Sequence, residues 1–404
     1  MRVGLFTECY HPIQNGIVAS IDALASALRA RDHETLVVTP EMPRYRDAGE
    51  GVMRVPSLPL PTRTSYRLTL PYLPDRRGAL GALSIVHTHS PFVTGWLGAR
   101  AARRLGVPLV FTYHTQLEAY AHYVPFETRA TRSAASGLTR RYANAADAVI
   151  VPTVAMAERL RVLGVRARIE VLPSGIDVAF FARGERRDDV RARLGASPDQ
   201  SLILCVGRLG REKNLELALD AFARLGDARS RLAIVGDGPH REALQRRARE
   251  ARISSRTTFA LEYARADLPD VYASADAFLF TSGSETQGLV LVEALAARAP
   301  VVAVDTPQTR DVLGPAGSVV PGDPAALAAE LRNVLGGRRR SGALGSQVAR
   351  RYDAAALGDR AIALYETLTL PAATRRAPSA SSTLPPATRP APPSAEPTVP
   401  LAEP

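Results

Sequence analysis

Ala277-Phe-Leu-Phe-Thr-Ser-Gly-Ser-Glu-Thr-Gln-Gly-Leu-Val-Leu-Val-Glu293 reads as a buried strand (Ala277 to Phe280), a glycine-bearing loop, and a helix with a carboxylate at each end of Glu285 to Glu293. A continuous apolar run leading into a loop and a helix fits a parallel sheet covered on both faces, because neither face of the strand has to be polar. The N–H groups of Gly288, Leu289 and Val290 open the helix without intrahelical partners and can hold a phosphate oxygen, while carboxylates suit sugar hydroxyls. This one turn is read as a grip for a phosphorylated sugar.

The same alternation extends in both directions. Upstream, strands are expected at Val3 to Phe6, Thr35 to Val38, Ile85 to His87, Leu109 to Thr112, Ala148 to Val151 and Glu170 to Leu172, with helical stretches such as Ile17 to Ala30 between them. After Leu172-Pro-Ser-Gly-Ile-Asp177 the pattern restarts, with strands at Leu202 to Val206, Leu232 to Val235, Thr257 to Ala260, Ala277 to Phe280 and Val301 to Val304. The fold class is α/β: a doubly wound domain over 1–178 and a second over 179–370, joined at a Pro- and Gly-bearing turn. A chain of 404 residues accommodates two cores, since single cores stop growing near roughly 250–300 residues. Open α/β sheets bind ligands at the carboxyl ends of their strands, so two facing sheets would enclose a cleft. From Pro371 onward, ten prolines fall within 34 residues among Ala, Ser and Thr. That tail (371–404) has too little apolar surface to offset its ordering entropy and is expected to be disordered.

Composition narrows the function. The net charge of +11 is compatible with polyanions, but the basic residues are scattered, aromatics make up only 6%, and no basic-aromatic strand pattern occurs; nucleic acid is not expected as a partner. Cys9 and Cys205 are the only cysteines, each inside an apolar run, so a disulfide framework is not expected and a reducing cytoplasm fits. The N-terminus reads as a first strand rather than a signal peptide, and no run of 18 apolar residues can span a bilayer. No Asp-x-Asp loop and no His or Cys cluster with metal-ligand spacing is found, so neither a metal nor a bound cofactor is expected.

Of the 51 basic residues only Lys213 is a lysine. It lies five residues after Arg208, in a loop that follows the strand ending at Val206 and precedes the helix Leu215 to Leu225. Arg supplies a planar fork of donors and Lys a compact point charge, and a pyrophosphate can use both.

Five features in this order give the chain its resemblance to glycosyltransferase family 4. They are Pro12 to Gly16 after the first strand, Pro173-Ser-Gly-Ile-Asp177 at the junction, Gly207-Arg208 with Lys213, Gly236-Asp-Gly-Pro239, and the seven-residue spacing between Glu285 and Glu293. The resemblance covers about residues 1–370 and implies the GT-B architecture, two Rossmann-like domains facing across a cleft. It implies a nucleotide-sugar donor held mainly by the C-terminal domain, with Arg208 and Lys213 on the diphosphate, Gln287, Gly288 and Leu289 at the helix tip, Glu285 on the sugar, and Glu293 on the ribose. Gly16 matches the glycine that lets the N-terminal domain approach the diphosphate, and His114 matches an active-site histidine near the sugar. The implied reaction is metal-independent hexosyl transfer with retention of configuration.

The segment Tyr113-His-Thr-Gln-Leu-Glu118-Ala-Tyr120-Ala-His122-Tyr123 resembles that of the members that glycosylate diacylglycerol, with Glu118 and Tyr123 as candidate acceptor residues. A lipid acceptor is expected, with a soluble small molecule or glycan as the alternative. Arg129, Arg132, Arg140 and Arg141 alternate with Ala134, Ala135, Leu138 and Tyr142, a face suited to anionic lipid. The expected location is the cytoplasm, at the inner face of the cell membrane. Nucleotide-sugar epimerases share the architecture and remain a rival, distinguished by needing no acceptor. Glycoside hydrolysis is disfavoured because cations, rather than two facing carboxylates, flank the sugar site.

Overall fold

The computed structural model describes residues 1–47, 51–60, 66–73, 78–118, 128–261, 263–337 and 342–370. The first domain contains β1 (Arg2–Phe6), β2 (Glu34–Pro40), β3 (Val52–Val55), a short antiparallel hairpin of β4 (Ser57–Pro59) and β5 (Arg67–Thr69), then β6 (Ile85–Thr88), β7 (Leu109–Thr112), β8 (Ala148–Val151) and β9 (Arg168–Val171). Its parallel sheet runs β3-β2-β1-β6-β7-β8-β9. The second contains β10 (Ser201–Val206), β11 (Ser230–Val235), β12 (Thr257–Ala260), β13 (Ala277–Phe280), β14 (Val301–Val304) and β15 (Ser318–Val320). Its parallel order is β12-β11-β10-β13-β14-β15. The expected pair of doubly wound α/β domains is the architecture found.

Period-two geometry explains why the strands read as continuous apolar runs. Phe278 and Phe280 of β13 point into one core with Leu291, Val292 and Leu295 of the helix Leu289–Ala296. Ala277 and Leu279 point the other way, into a core with Leu217 and Phe222 of the helix Leu215–Leu225. β10 divides in the same manner, Leu202 and Leu204 against Ile203 and Cys205. Both cysteines are buried and free.

In each sheet the chain first steps outward on one side and then returns beside its starting strand. The direction reverses between β1 and β6 in the first domain and between β10 and β13 in the second. Loops leaving the carboxyl ends at such a switch point diverge and leave a crevice.

The division at 178/179 is crossed in both directions. The closing helix Ala354–Thr369 packs back onto the first domain, with Leu357, Ala361, Tyr365 and Leu368 in a core that includes Leu5, Ile21 and Leu28. Gly358 permits the approach, since a Cβ there would lie 2.4 Å from that of Ala27. Conversely, Ile176, on the first-domain side of the division, belongs to a core of the second domain. The tail expected to be disordered, 371–404, lies outside the described residues.

Candidate active site

Two loops leave the switch point of the second sheet, 207–213 after β10 and 281–288 after β13. Side chains of the second loop fasten it to the first: Thr281 Oγ1 donates to the carbonyl of Lys213 at 3.0 Å, and Ser282 and Ser284 hydroxyls donate to that of Glu212 at 3.0 and 3.3 Å. A third loop, Gly236-Asp-Gly-Pro239, locks against the first through Leu209 N to Asp237 O and His240 N to Leu209 O, both 2.9 Å. Gly238 is required there because a Cβ would stand 2.5 Å from the Leu209 carbonyl oxygen. The first two loops border a small hollow lined by Val206, Gly207, Arg208, Lys213, Thr281 and Val290, among others.

Positive charge converges on that hollow. Lys213 forms an ion pair with Glu285, their side chains 25% and 20% exposed. An ammonium has three donors, so two remain for a ligand. Arg208 is oriented by Glu212, a carboxylate whose side chain is 1% exposed. The helix Leu289–Ala296 starts after Gly288, which adopts φ 81° and supplies no side-chain cap; Leu291 N turns back to the Gly288 carbonyl at 2.9 Å, and the N–H groups of Leu289 and Val290 face the helix start without a capping side chain. Across the gap stands the N-terminus of the helix Gly16–Arg29. A Cβ on Gly16 would lie 3.7 Å from Leu289 Cδ1, which places two helix starts from different domains tip to tip.

The first domain contributes the carboxyl ends of β6 to β9. His114, just past β7, has its Nε2 2.9 Å from Nδ1 of His89, and the two rings stack at 5.2 Å. His87 lies beside them, between the Tyr365 hydroxyl at 2.7 Å and Thr112 Oγ1 at 2.6 Å. Burial disfavours the charged imidazolium in all three, pulling His87 down to about 3, His114 to about 4, and His89 well below the usual histidine range. Neutral imidazoles at this cleft bond and position; they do not add charge.

The acidic loop also bridges the domains. Gln116 Nε2 donates to the carbonyls of Ser284 (3.1 Å) and Glu285 (3.0 Å), and Thr286 Oγ1 donates to that of His114 (2.9 Å). Thr153 Oγ1 donates to the Thr286 carbonyl at 3.1 Å. The Gln287 amide accepts from Ser174 N at 2.8 Å and donates to Ser174 O at 2.9 Å. Each such bond contributes about 1 kcal/mol net.

With this geometry established, likeness to known proteins becomes informative. Residues 14–180 match the model described as Glycosyltransferase Family 4, and residues 186–351 match that of Glycosyl transferases group 1. An alpha-monoglucosyldiacylglycerol synthase of Streptococcus pneumoniae is 32% identical over 326 residues, covering 78% of this chain and 73% of that protein. The chain belongs to glycosyltransferase family 4. A GDP-mannose-dependent alpha-mannosyltransferase of Mycobacterium tuberculosis is 35% identical over 327 residues, 78% of this chain and 82% of its own. Among solved structures, sucrose-phosphate synthase from Thermosynechococcus elongatus superposes with a TM-score of 0.73 at 22% identity, over 91% of this chain and 98% of that one. The fold is therefore GT-B, and the chain is a glycosyltransferase that draws on nucleotide-sugar donors.

Family membership predicted a set of site residues, and the structure brings together Gly16, Arg208, Lys213, Glu285, Gly288 and Leu289, with His114 on the facing wall. Three others sit differently from expectation. Gln287, expected on the donor, has both ends of its amide bound to the Ser174 backbone and is buried, because its loop docks on the other domain. Glu293 points inward, 9% exposed, and accepts from the Tyr272 hydroxyl at 2.6 Å; burial raises its carboxyl above the usual range. Glu118 pairs with Arg159 of the helix Val154–Val162, so its charge is already partnered. Tyr123, Tyr120 and His122 lie outside the described residues.

The helix Arg129–Ala143 exposes Arg129, Arg132, Arg140 and Arg141, but Tyr142, expected on its lipid-facing side, is fully buried and donates to the Gly95 carbonyl at 2.8 Å. Of its apolar positions Tyr142 and Ala143 serve the core. Among the described residues no helix is long and apolar enough to cross a membrane. Sequence reading missed Gln116, Thr153, Ser174, Glu212 and His89. Gln116 and Ser174 stood inside quoted motifs without a role, and Gln116 and Thr153 donate to backbone carbonyls 133 to 169 residues away, which no local pattern signals.

Proposed function

We propose that this glycosyltransferase moves a hexose, with retention of anomeric configuration and without a metal ion, from a nucleotide-sugar to a hydroxyl of a membrane lipid of the diacylglycerol class. The observation that carries the donor assignment is the convergence of Arg208, Lys213 and the uncapped helix start on one hollow, with Glu285 beside Lys213. As the sugar C1–O bond to the diphosphate breaks, negative charge grows on the departing oxygen, where these groups stabilise it more than in the ground state. The acceptor oxygen bonds to C1 on the face the diphosphate leaves, and its proton passes to the departing phosphate oxygen. Glu285 addresses the sugar hydroxyls, and His114 the sugar from the facing wall.

A lipid acceptor is supported by the name of the Streptococcus relative, and retention by the alpha products named for both relatives, provided the donor is alpha-configured. Exposed arginines on the helix Arg129–Ala143 suit an anionic surface at the cytoplasmic face of the membrane. The test is incubation of the full chain with radiolabelled UDP-glucose or GDP-mannose and mixed micelles of diacylglycerol and anionic phospholipid. Label extracted with lipid supports the proposal, and label confined to soluble products removes the lipid claim. NMR of the product's anomeric proton checks retention, and full activity in excess EDTA checks metal independence.

A further inference from the structure

Four consecutive residues of the acidic loop are held by the other domain. The partners of 284–287 follow the ends of three successive strands: His114 and Gln116 after β7, Thr153 after β8, and Ser174 after β9. The two cations proposed for the diphosphate, Arg208 and Lys213, are instead fixed within the second domain, through Glu212, Thr281 and the Gly236 to Pro239 loop. The two halves of the donor site therefore depend on different things.

We propose that Gln116 is a positioning residue for Glu285, fixing the sugar end of the donor site from the first domain while Arg208 and Lys213 are held within the second. The inference rests on the donor reading above. Gln116 is 7% exposed, and its single amide nitrogen places its two hydrogens on adjacent carbonyls, those of Ser284 and Glu285. Pinning both carbonyls fixes the backbone that carries the Glu285 carboxylate, while Lys213 holds that carboxylate from the other side. Without the Gln116 bonds the backbone under Glu285 loses this pin, while Arg208 keeps its Glu212 contact and Lys213 its place in the second domain.

The experiment compares wild type, Gln116→Met, Thr286→Val and the double variant in the full-length chain, with thermal melts to establish folding. Gln116→Met preserves length and removes both donors; Thr286→Val removes the bond to His114 and keeps the shape. Affinity for UDP and GDP is measured by titration calorimetry, and transfer by kcat and KM with the sugar nucleotide that reacts. The expected result is a nucleoside diphosphate Kd within about twofold of wild type, with kcat lower by roughly ten- to hundredfold, the cost of a misplaced reacting geometry. The double variant should lose less than the product of the single losses, because both bonds serve one docked loop. Unchanged kcat in Gln116→Met, or equal falls in diphosphate affinity and kcat, overturns the proposal. A Glu285→Gln variant separates the two claims: if it retains wild-type kcat the donor reading fails, and if it loses transfer while Gln116→Met does not, only the positioning role fails.

Discussion

Lys213→Met leaves the shape of the site nearly intact and removes the ammonium that lies between Glu285 and the proposed diphosphate. Two unit charges about 4 Å apart interact by about 4 kcal/mol at an effective dielectric constant near 20. The side chains of Lys213 and Glu285 are 25% and 20% exposed, so solvent screens the pair substantially, and about 2–3 kcal/mol of transition-state stabilisation remains at stake. That corresponds to a fall in kcat of roughly 30- to 150-fold. Stability should change little, by about 1 kcal/mol or less for a partly exposed pair. Single-turnover transfer from a radiolabelled sugar nucleotide, with a melting curve on the same sample, measures both. The loss should appear in kcat more than in KM, because charge on the leaving group grows only as the bond breaks. A folded Lys213→Met enzyme with kcat within twofold of wild type would refute the reasoning.

Other perturbations test separate links. Gly16→Ala places a methyl 3.7 Å from Leu289 Cδ1, an ordinary contact; melting should be unchanged while donor affinity drops about tenfold, as measured by calorimetry. Gly238→Ala puts a Cβ 2.5 Å from the Leu209 carbonyl oxygen and should destabilise the fold by about 2–3 kcal/mol in denaturant titration; a change under 0.5 kcal/mol counts against the tight loop contact. His87 and His89 are 1% and 3% exposed and held neutral by burial, His87 down to about 3. Their unfolded forms take up protons below the usual value of about 6.5, so the stability they confer is present above that pH and declines as pH falls toward the folded values. Unfolding free energy should drop by up to about 1.4 kcal/mol per pH unit for each histidine, and His87→Phe should flatten that slope if it folds.

The legibility of the molecule varied with the range of the interactions involved. Ala277 to Phe280, Leu109 to Thr112 and Ala148 to Val151 were read to the residue, because strands apolar on both faces carry a signal independent of distant partners. β3, with Arg54 in its interior, the hairpin of β4 and β5, and the three-residue β15 lack such a run and were not read. In the site, Arg208 and Lys213 were visible through spacing and the scarcity of lysine. The opposite happened with Gln287, whose place in the motif suggested a ligand contact that its bonds to Ser174 displace.

By itself the sequence determined two doubly wound α/β domains, a helix start at Gly288, and the cations Arg208 and Lys213 in the neighbouring loop, since strand periodicity, backbone N–H groups and side-chain charge are local properties. Tertiary structure alone decided that Ala354–Thr369 returns to the first domain, that Glu293 is turned toward Tyr272, and that the Glu285 loop is gripped by Gln116, Thr153 and Ser174. Those outcomes depend on which groups the fold brings together, 21 residues apart for Tyr272 and Glu293 and 113 to 169 for the loop contacts, and a hydrogen bond to a remote carbonyl leaves no periodicity in the chain that makes it.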